Sequence, residues 1–232
     1  MKTIGILGGM GPAATVELLN RIIFLCQRKY KAVQDSEYPQ IAIYSMAPKG
    51  SDETGIKNEK LLQKEFIIGS NKLSKVGCDF VILPCNTAHY FMAKIKKQTR
   101  IPVLSMTDET VSIVKKSKLK KVGLLASQSS YDHNIYGDIL ASKGIKLILP
   151  NNGERRNITN IILRIMAGNL DKKDKTTLKE IIKQMEKREQ IQAIIIGCTE
   201  LSIILKVNEC PIKAFDSLDI LAENAVIKAY KS

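Results

Sequence analysis

The sequence predicts an α/β protein of two similar lobes, each a mainly parallel sheet flanked by helices. Three observations carry this expectation. Short apolar runs alternate with longer stretches of helical period. Two of those runs, Thr3-Ile-Gly-Ile-Leu-Gly8 and Lys121-Val-Gly-Leu-Leu-Ala126, resemble each other, and each opens a half of the chain with a strand, a small-residue loop and a helix. In each half a later apolar strand runs into a cysteine, Asp79-Phe-Val-Ile-Leu-Pro-Cys85 and Ala193-Ile-Ile-Ile-Gly-Cys198.

The expected strands are Thr3–Leu7, Gln40–Ser45, Phe80–Leu83, Val103–Ser105, Lys121–Ala126, Lys146–Ile148, Ala193–Ile196 and Ile212–Phe215. Helical period is read over Ala13–Arg28, Lys57–Val76, Thr87–Lys97, Asp108–Lys116, Tyr131–Ser142, Ile158–Ala167 and Thr176–Arg188. The polar, glycine-containing segment Asn151–Asn157 reads as a loop. Residues 1–105 with 210–232 are expected to form the first lobe and residues 106–209 the second.

Length and composition bound the function. A chain of 232 residues, 44% hydrophobic, can bury a substantial core without staples. Its apolar runs are far shorter than the roughly 18–20 residues of a membrane span. No secretory signal pattern opens the chain, so a cytoplasmic setting is expected. Five cysteines with no CxxC pair and no metal-ligand spacing read as free thiols. The net charge of +13 comes from lysines spread along the chain, and aromatics make up only 5%. With no nucleic-acid-binding signature, a solvated basic surface is the simplest reading.

Cys85 and Cys198 stand apart from Cys26, Cys78 and Cys210, which sit on helix or strand-edge patterns without polar company and read as core residues. In open parallel sheets ligands bind beyond the C-terminal ends of the strands. A cysteine there, with Asn86-Thr87 or Thr199 able to cap the next helix, lies near a helix N-terminus, whose N–H groups favour thiolate. Thr87 and Thr199 also offer donors to a carboxylate. If the lobes face each other, one thiolate removes an α-proton while a thiol on the opposite side returns one, which inverts a stereocentre without a cofactor.

Other motifs admit simpler readings. Gly9-Met-Gly11-Pro-Ala-Ala14 fits a loose dinucleotide fingerprint, but the second strand ends Tyr44-Ser-Met-Ala47 without the acid a ribose needs. Pro12 and its glycines instead suit a tight loop that lets a ligand approach the backbone. His89 reads as support for the turn after Cys85. Glu200 reads as a first-turn acid or a supporting residue for Cys198.

Taken together, Gly5-Ile-Leu-Gly-Gly-Met-Gly-Pro-Ala-Ala-Thr15, Pro84-Cys-Asn-Thr-Ala-His89 and Gly197-Cys-Thr-Glu-Leu201 closely resemble the aspartate/glutamate racemase family. Weaker agreement runs through Ile101-Pro-Val-Leu, Gly123-Leu-Leu-Ala-Ser127 and Phe215-Asp-Ser217. The resemblance implies two pseudo-symmetric lobes, an active site in the cleft between them, two-base proton transfer by Cys85 and Cys198, no cofactor or metal, and a homodimer. By position it implies that Met10, Asn86, Thr87, Ser127 and Thr199 line the pocket for the α-amino and α-carboxylate groups.

The sequence departs from the family pattern in three places. Aspartate-specific members usually carry Asn and then Pro-Asp-Arg after the second strand, where this chain has Tyr44-Ser-Met-Ala-Pro-Lys49-Gly-Ser-Asp52. A lysine common just before the Ala-Gly at residue 168 is replaced by Met166, and a histidine often found after the last Asp-Ser by Leu221. The first two changes remove the cations that would recognise a second carboxylate, and Lys49 and Arg164 are the neighbouring candidates to replace them. The expected activity is racemisation of a free amino acid, with aspartate first and another or broader set second. The rivals are a decarboxylase or isomerase of small carboxylic acids on the same scaffold, and a non-catalytic amino-acid sensor, which would have no use for two matched thiols.

Overall fold

The computed structural model describes residues 1–52 and 55–231. They fall into two compact units, Met1–Glu109 together with Leu218 onward, and Thr110–Ser217.

In the first unit, β1 (Ile4–Gly8) is followed by α1 (Pro12–Tyr30) and β2 (Ile41–Ser45). A two-stranded hairpin of β3 (Ser51–Asp52) and β4 (Gly55–Ile56) leads to α2 (Glu59–Lys75) and β5 (Phe80–Ile82). A 3₁₀ turn, Thr87–Phe91, then precedes α3 (Met92–Gln98), β6 (Val103–Leu104) and α4 (Met106–Lys116). The four main strands are parallel in the order β2-β1-β5-β6.

Central strands covered on both faces become continuous apolar runs, and β1 and β5 are buried throughout. On one face α1 presents Leu18, Ile22 and Cys26 at a spacing of four to the strand residues Ile4, Ile6 and Phe80. Leu218, Leu221, Ala222 and Val226 join the same cluster. On the other face Leu62, Phe66 and Leu73 of α2 pack with Leu7, Val81, Phe91 and Ile95.

The second unit runs β7 (Lys121–Leu125), α5 (Gln128–Asp132), α6 (Gly137–Ala141), β8 (Lys146–Ile148), α7 (Asn152–Met166), α8 (Asp174–Glu189), β9 (Ala193–Ile196), α9 (Leu201–Ile204) and β10 (Ala214–Asp216). From β10 the chain passes into α10 (Ser217–Tyr230), which supplies the Leu218–Val226 side chains of the first unit's core. The second sheet is parallel in the order β10-β9-β7-β8. In each sheet a first strand (β1 or β7) lies between the strand that follows it and the later strand that runs into a cysteine (β5 or β9), so the repeat read in the sequence is a repeat of topology. Ile158, Ile161, Ile162 and Ile165 of α7 and Leu178, Ile181, Ile182 and Met185 of α8 cover one face of the second sheet.

Several sequence-based expectations change. The expected loop at Asn151–Asn157 is the first turns of α7. Asn151 and Glu154 form a reciprocal capping box there, with Glu154 N–H donating to Asn151 Oδ1 at 2.9 Å and Asn151 N–H to Glu154 Oε2 at 2.7 Å. The helix expected over Tyr131–Ser142 breaks into α5 and α6, because Asn134 takes positive φ between them. The one expected over Thr87–Lys97 begins as a 3₁₀ turn. The last strand, grouped with the first lobe on sequence, pairs with β9 in the second sheet.

Candidate active site

In a parallel sheet of this order the chain crosses to one side after the first strand and to the other after the second. The crevice between the ends of the first strand and its cysteine-bearing neighbour is therefore the site a ligand finds open. In the first unit those ends are the loops after β1 and β5, which carry Met10 and Cys85. In the second they are the loops after β7 and β9, which carry Ser127 and Cys198.

The loop after β1 is built for close approach. Gly9 has φ +91°, and a Cβ there would lie 2.0 Å from the Met46 carbonyl oxygen. Its N–H donates to Thr15 Oγ1 at 2.9 Å. Met10 and Cys85 both pack against the Leu7–Phe66–Phe91 cluster, so they share one side of the first sheet.

The backbone of Cys85 is held from two directions. Its N–H donates to Leu83 O at 2.9 Å. Its carbonyl accepts from His89 Nδ1 at 2.8 Å, while His89 Nε2 accepts the Met106 N–H at 2.8 Å. A backbone N–H can only donate, so Nε2 is bare and the proton is on Nδ1. Burial lowers the His89 pKa from 6.5 to about 4, and the ring is neutral. His89 therefore ties the cysteine loop to the start of α4 as a neutral ring at neutral pH. Asn86 is buried beside Cys85, and Thr87 is buried next to it in part.

In the second unit Ser127 is the N-cap of α5, accepting the Ser130 N–H, and its hydroxyl lies 3.0 Å from that of Ser130. Cys198 is buried, with Thr199 and Glu200 buried beside it. Its Sγ donates to Glu200 Oε2 at 3.1 Å, and Thr199 Oγ1 donates to the same oxygen at 3.2 Å. Burial and the Glu200 carboxylate push the Cys198 thiol well up, against the backbone N–H groups of Glu200 and Leu201 that favour the thiolate.

The capping expected here is not what forms. Neither the turn at Thr87 nor α9 has a side-chain cap at its N-cap residue, Asn86 or Glu200. Both cysteine loops run directly into tight helical turns, so the backbone reaches the sulfur of Cys198 without a capping side chain.

The two candidate cations part company. Lys49 lies on the loop between β2 and β3, where its backbone N–H donates to the Glu65 carboxylate at the exposed surface. Arg164, in the last turn of α7, forms a two-point ion pair with the buried carboxylate of Asp174. Met166 is exposed nearby, and Leu221 lies fully buried in the first unit's core.

Three supporting residues carry no signal of their own in the sequence. Ser202 Oγ donates to Asp216 Oδ1 at 2.7 Å and lies 3.5 Å from the Cys198 carbonyl, with Ser202 and Asp216 both buried. Tyr131 fills the end of β7, accepting the Ala126 N–H at 2.8 Å and donating to Leu124 O. The position of Ser202 four residues after Cys198 is a helical spacing, but its partner lies 14 residues further on and only the sheet brings it in. Among the described residues no group of three or more His, Cys, Asp or Glu side chains is placed to hold a metal ion. Among them, too, no helix is long and apolar enough to cross a membrane.

The chain is similar to known proteins over nearly its whole length. A family model described as Asp/Glu/Hydantoin racemase matches residues 7–225. The broad specificity amino-acid racemase RacX of Bacillus subtilis is 30% identical over 223 residues, 96% of each chain. An aspartate racemase homologue from Pyrococcus horikoshii OT3 superposes with a TM-score of 0.84 at 25% identity over 100% of both chains. The aspartate racemase of Picrophilus torridus gives a TM-score of 0.84 at 25% identity, over 99% of this chain and 94% of that one.

Proposed function

This chain belongs to the Asp/Glu/hydantoin racemase family, and from that premise we propose that it racemises a free amino acid without a cofactor, using Cys85 and Cys198 as its two bases. The observation that carries the proposal is the matched position of the two thiols, each in the loop after the strand that neighbours the first strand of its sheet.

The chemistry balances as follows. A thiolate takes the α-proton, breaking Cα–H and forming S–H, and the electron pair delocalises into the α-carboxylate. The second thiol gives its proton to the opposite face of the α-carbon, and the net charge is unchanged. Two bases of one type suit a reaction whose substrate and product are mirror images. In this reading Met10, Asn86, Thr87, Ser127 and Thr199 are the residues that bind the α-carboxylate and α-amino groups.

For the substrate, the Arg164–Asp174 pair favours a range wider than aspartate. An arginine already paired at two points with a buried carboxylate is a poor second partner for a ligand. Lys49 then remains as the cation for a side-chain carboxylate, a point charge on a surface loop. We therefore read aspartate as one member of a broader set, as the name of the Bacillus subtilis relative also suggests. The same proposal takes a homodimer in the cytoplasm as the working form.

The test is incubation with single L-amino acids in deuterated water. The expected result is α-deuterium and D-product for aspartate and for several neutral amino acids, unaffected by prior dialysis against chelator and without a pyridoxal absorbance band. Conversion that requires an added metal or pyridoxal phosphate would overturn the cofactor-independent reading, and turnover of the two acidic amino acids alone would overturn the broad range.

A further inference from the structure

The carboxylate of Glu200 sits against the sulfur of Cys198 in a way that simple structural support does not require. Glu200 is buried, and its Oε2 accepts both from Cys198 Sγ at 3.1 Å and from Thr199 Oγ1 at 3.2 Å. An oxygen that collects two donors serves best as an ionised acceptor. A thiolate at the same distance would place two like charges together out of water. We propose that Glu200 is a positioning residue that holds Cys198 as a protonated thiol and aims it, making Cys198 the proton donor in the substrate-free protein. The inference rests on the racemase reading given above.

Several groups of the second unit bear on Cys198. From its own turn, the N–H groups of Glu200 and Leu201 favour the thiolate, and the Glu200 carboxylate opposes them. From α5, Tyr131 faces it as a phenol that burial keeps protonated. The Arg155 guanidinium of α7 stacks 5.0 Å from the Tyr131 ring centre, and Glu154 is neutralised by Arg188. When Cys198 donates, its S–H bond breaks and a Cα–H bond forms. The thiolate left beside the carboxylate then takes a proton from solvent while Cys85 releases to solvent the one it removed, which resets Cys198 as an acid.

The test reads the thiol directly and does not depend on turnover. The Cys198 alkylation rate is followed against pH by peptide-resolved mass spectrometry, in wild type and in Glu200→Gln. The thiolate ultraviolet absorbance, taken as the difference from Cys198→Ser, gives the same midpoint without a probe having to reach the sulfur. Glu200→Gln should move the midpoint to lower pH by about one unit, making Cys198 about tenfold more reactive below the midpoint. Glu200→Asp, which keeps the charge but shortens the reach, should fall between the two. An unmoved midpoint, or one that rises in Glu200→Gln, would show that Glu200 does not hold the proton on sulfur. If the midpoint shifts as expected but no amino acid is racemised, the racemase reading fails while the thiol assignment stands. Racemisation with an unmoved midpoint would refute the thiol assignment and leave the racemase reading in place.

Discussion

His89 shows how one side chain beside a candidate site residue can hold two backbone segments in place. It donates to the Cys85 carbonyl and accepts from Met106 N–H, so one neutral ring fixes two backbone segments, the nearer 4 and the farther 17 residues away. Its pKa is lowered from 6.5 to about 4 in the folded protein. As pH falls from 6.5 to about 4, the unfolded imidazole binds a proton that the folded one refuses. The stability contributed by the neutral ring is thus complete above pH 6.5 and is lost towards pH 4, a change of about 3 kcal/mol. Thermal unfolding of wild type and His89→Gln across this range should show the wild-type advantage shrinking as the solution is acidified. A constant difference would mean the ring is not held neutral. For the thiols, Cys85→Ala and Cys198→Ala should each abolish conversion between enantiomers. Cys198→Ala should still exchange the α-proton of one enantiomer with solvent deuterium, because the Cys85 base remains, and Cys85→Ala should do so more slowly, because Glu200 keeps Cys198 protonated. Full racemase activity in either variant would refute the two-base assignment. At this scale the cysteines are legible because their polar company is adjacent in sequence, Asn86-Thr87 and Thr199-Glu200. Ser202 with Asp216, and Tyr131 with the β7 backbone, are not, since those partners meet only after the second sheet has formed.

The elements are read best where the apolar pattern is long. The spacing of Leu18, Ile22 and Cys26 on α1 and the unbroken apolar run of β1 both match the structure. Sequence reading fails where local chemistry outweighs composition. The segment from Asn151 resembles a loop because it is polar and contains Gly153. The side chains of Asn151 and Glu154 satisfy the free N–H groups of the first turn, and Arg188 pairs with Glu154 from α8. Asn151→Ala should lower stability by about 1 kcal/mol, the usual worth of an N-cap. Denaturant unfolding followed by circular dichroism would reveal it, and an unchanged midpoint would mean α7 does not depend on its cap. Gly9→Ala should be far more costly, since the added Cβ meets the Met46 carbonyl and the residue holds positive φ.

Across the whole molecule, two parallel sheets place Cys85 and Cys198 at equivalent topological positions, and under the proposed function selectivity depends on the charges a substrate side chain meets. Lys49 and Arg164 are both sequence candidates for a substrate's second carboxylate. Because Arg164 is engaged by Asp174, Lys49→Met should raise the KM for aspartate by about one decade, the worth of one charge-assisted contact. It should spare alanine, and Arg164→Met should leave both constants unchanged. Steady-state kinetics on the two substrates would decide between the residues, and a reversed pattern would return the role to Arg164.

By itself the sequence determined the class of the fold and the internal repeat, and it singled out Cys85 and Cys198 as candidates, because each of these is written in contiguous residues. Periodicity, glycine placement and a cysteine at a strand's end need no knowledge of distant contacts. The tertiary structure alone decided which charges and polar groups are already satisfied. It joined Arg164 to Asp174, His89 to Met106 and Ser202 to Asp216, and it put the strand Ala214–Asp216 beside β9. The physical reason is that a charge or hydrogen-bonding group has only a few partners. Which partner it takes depends on proximity in space, and side chains far apart in sequence become neighbours only when the sheets pair and the helices pack.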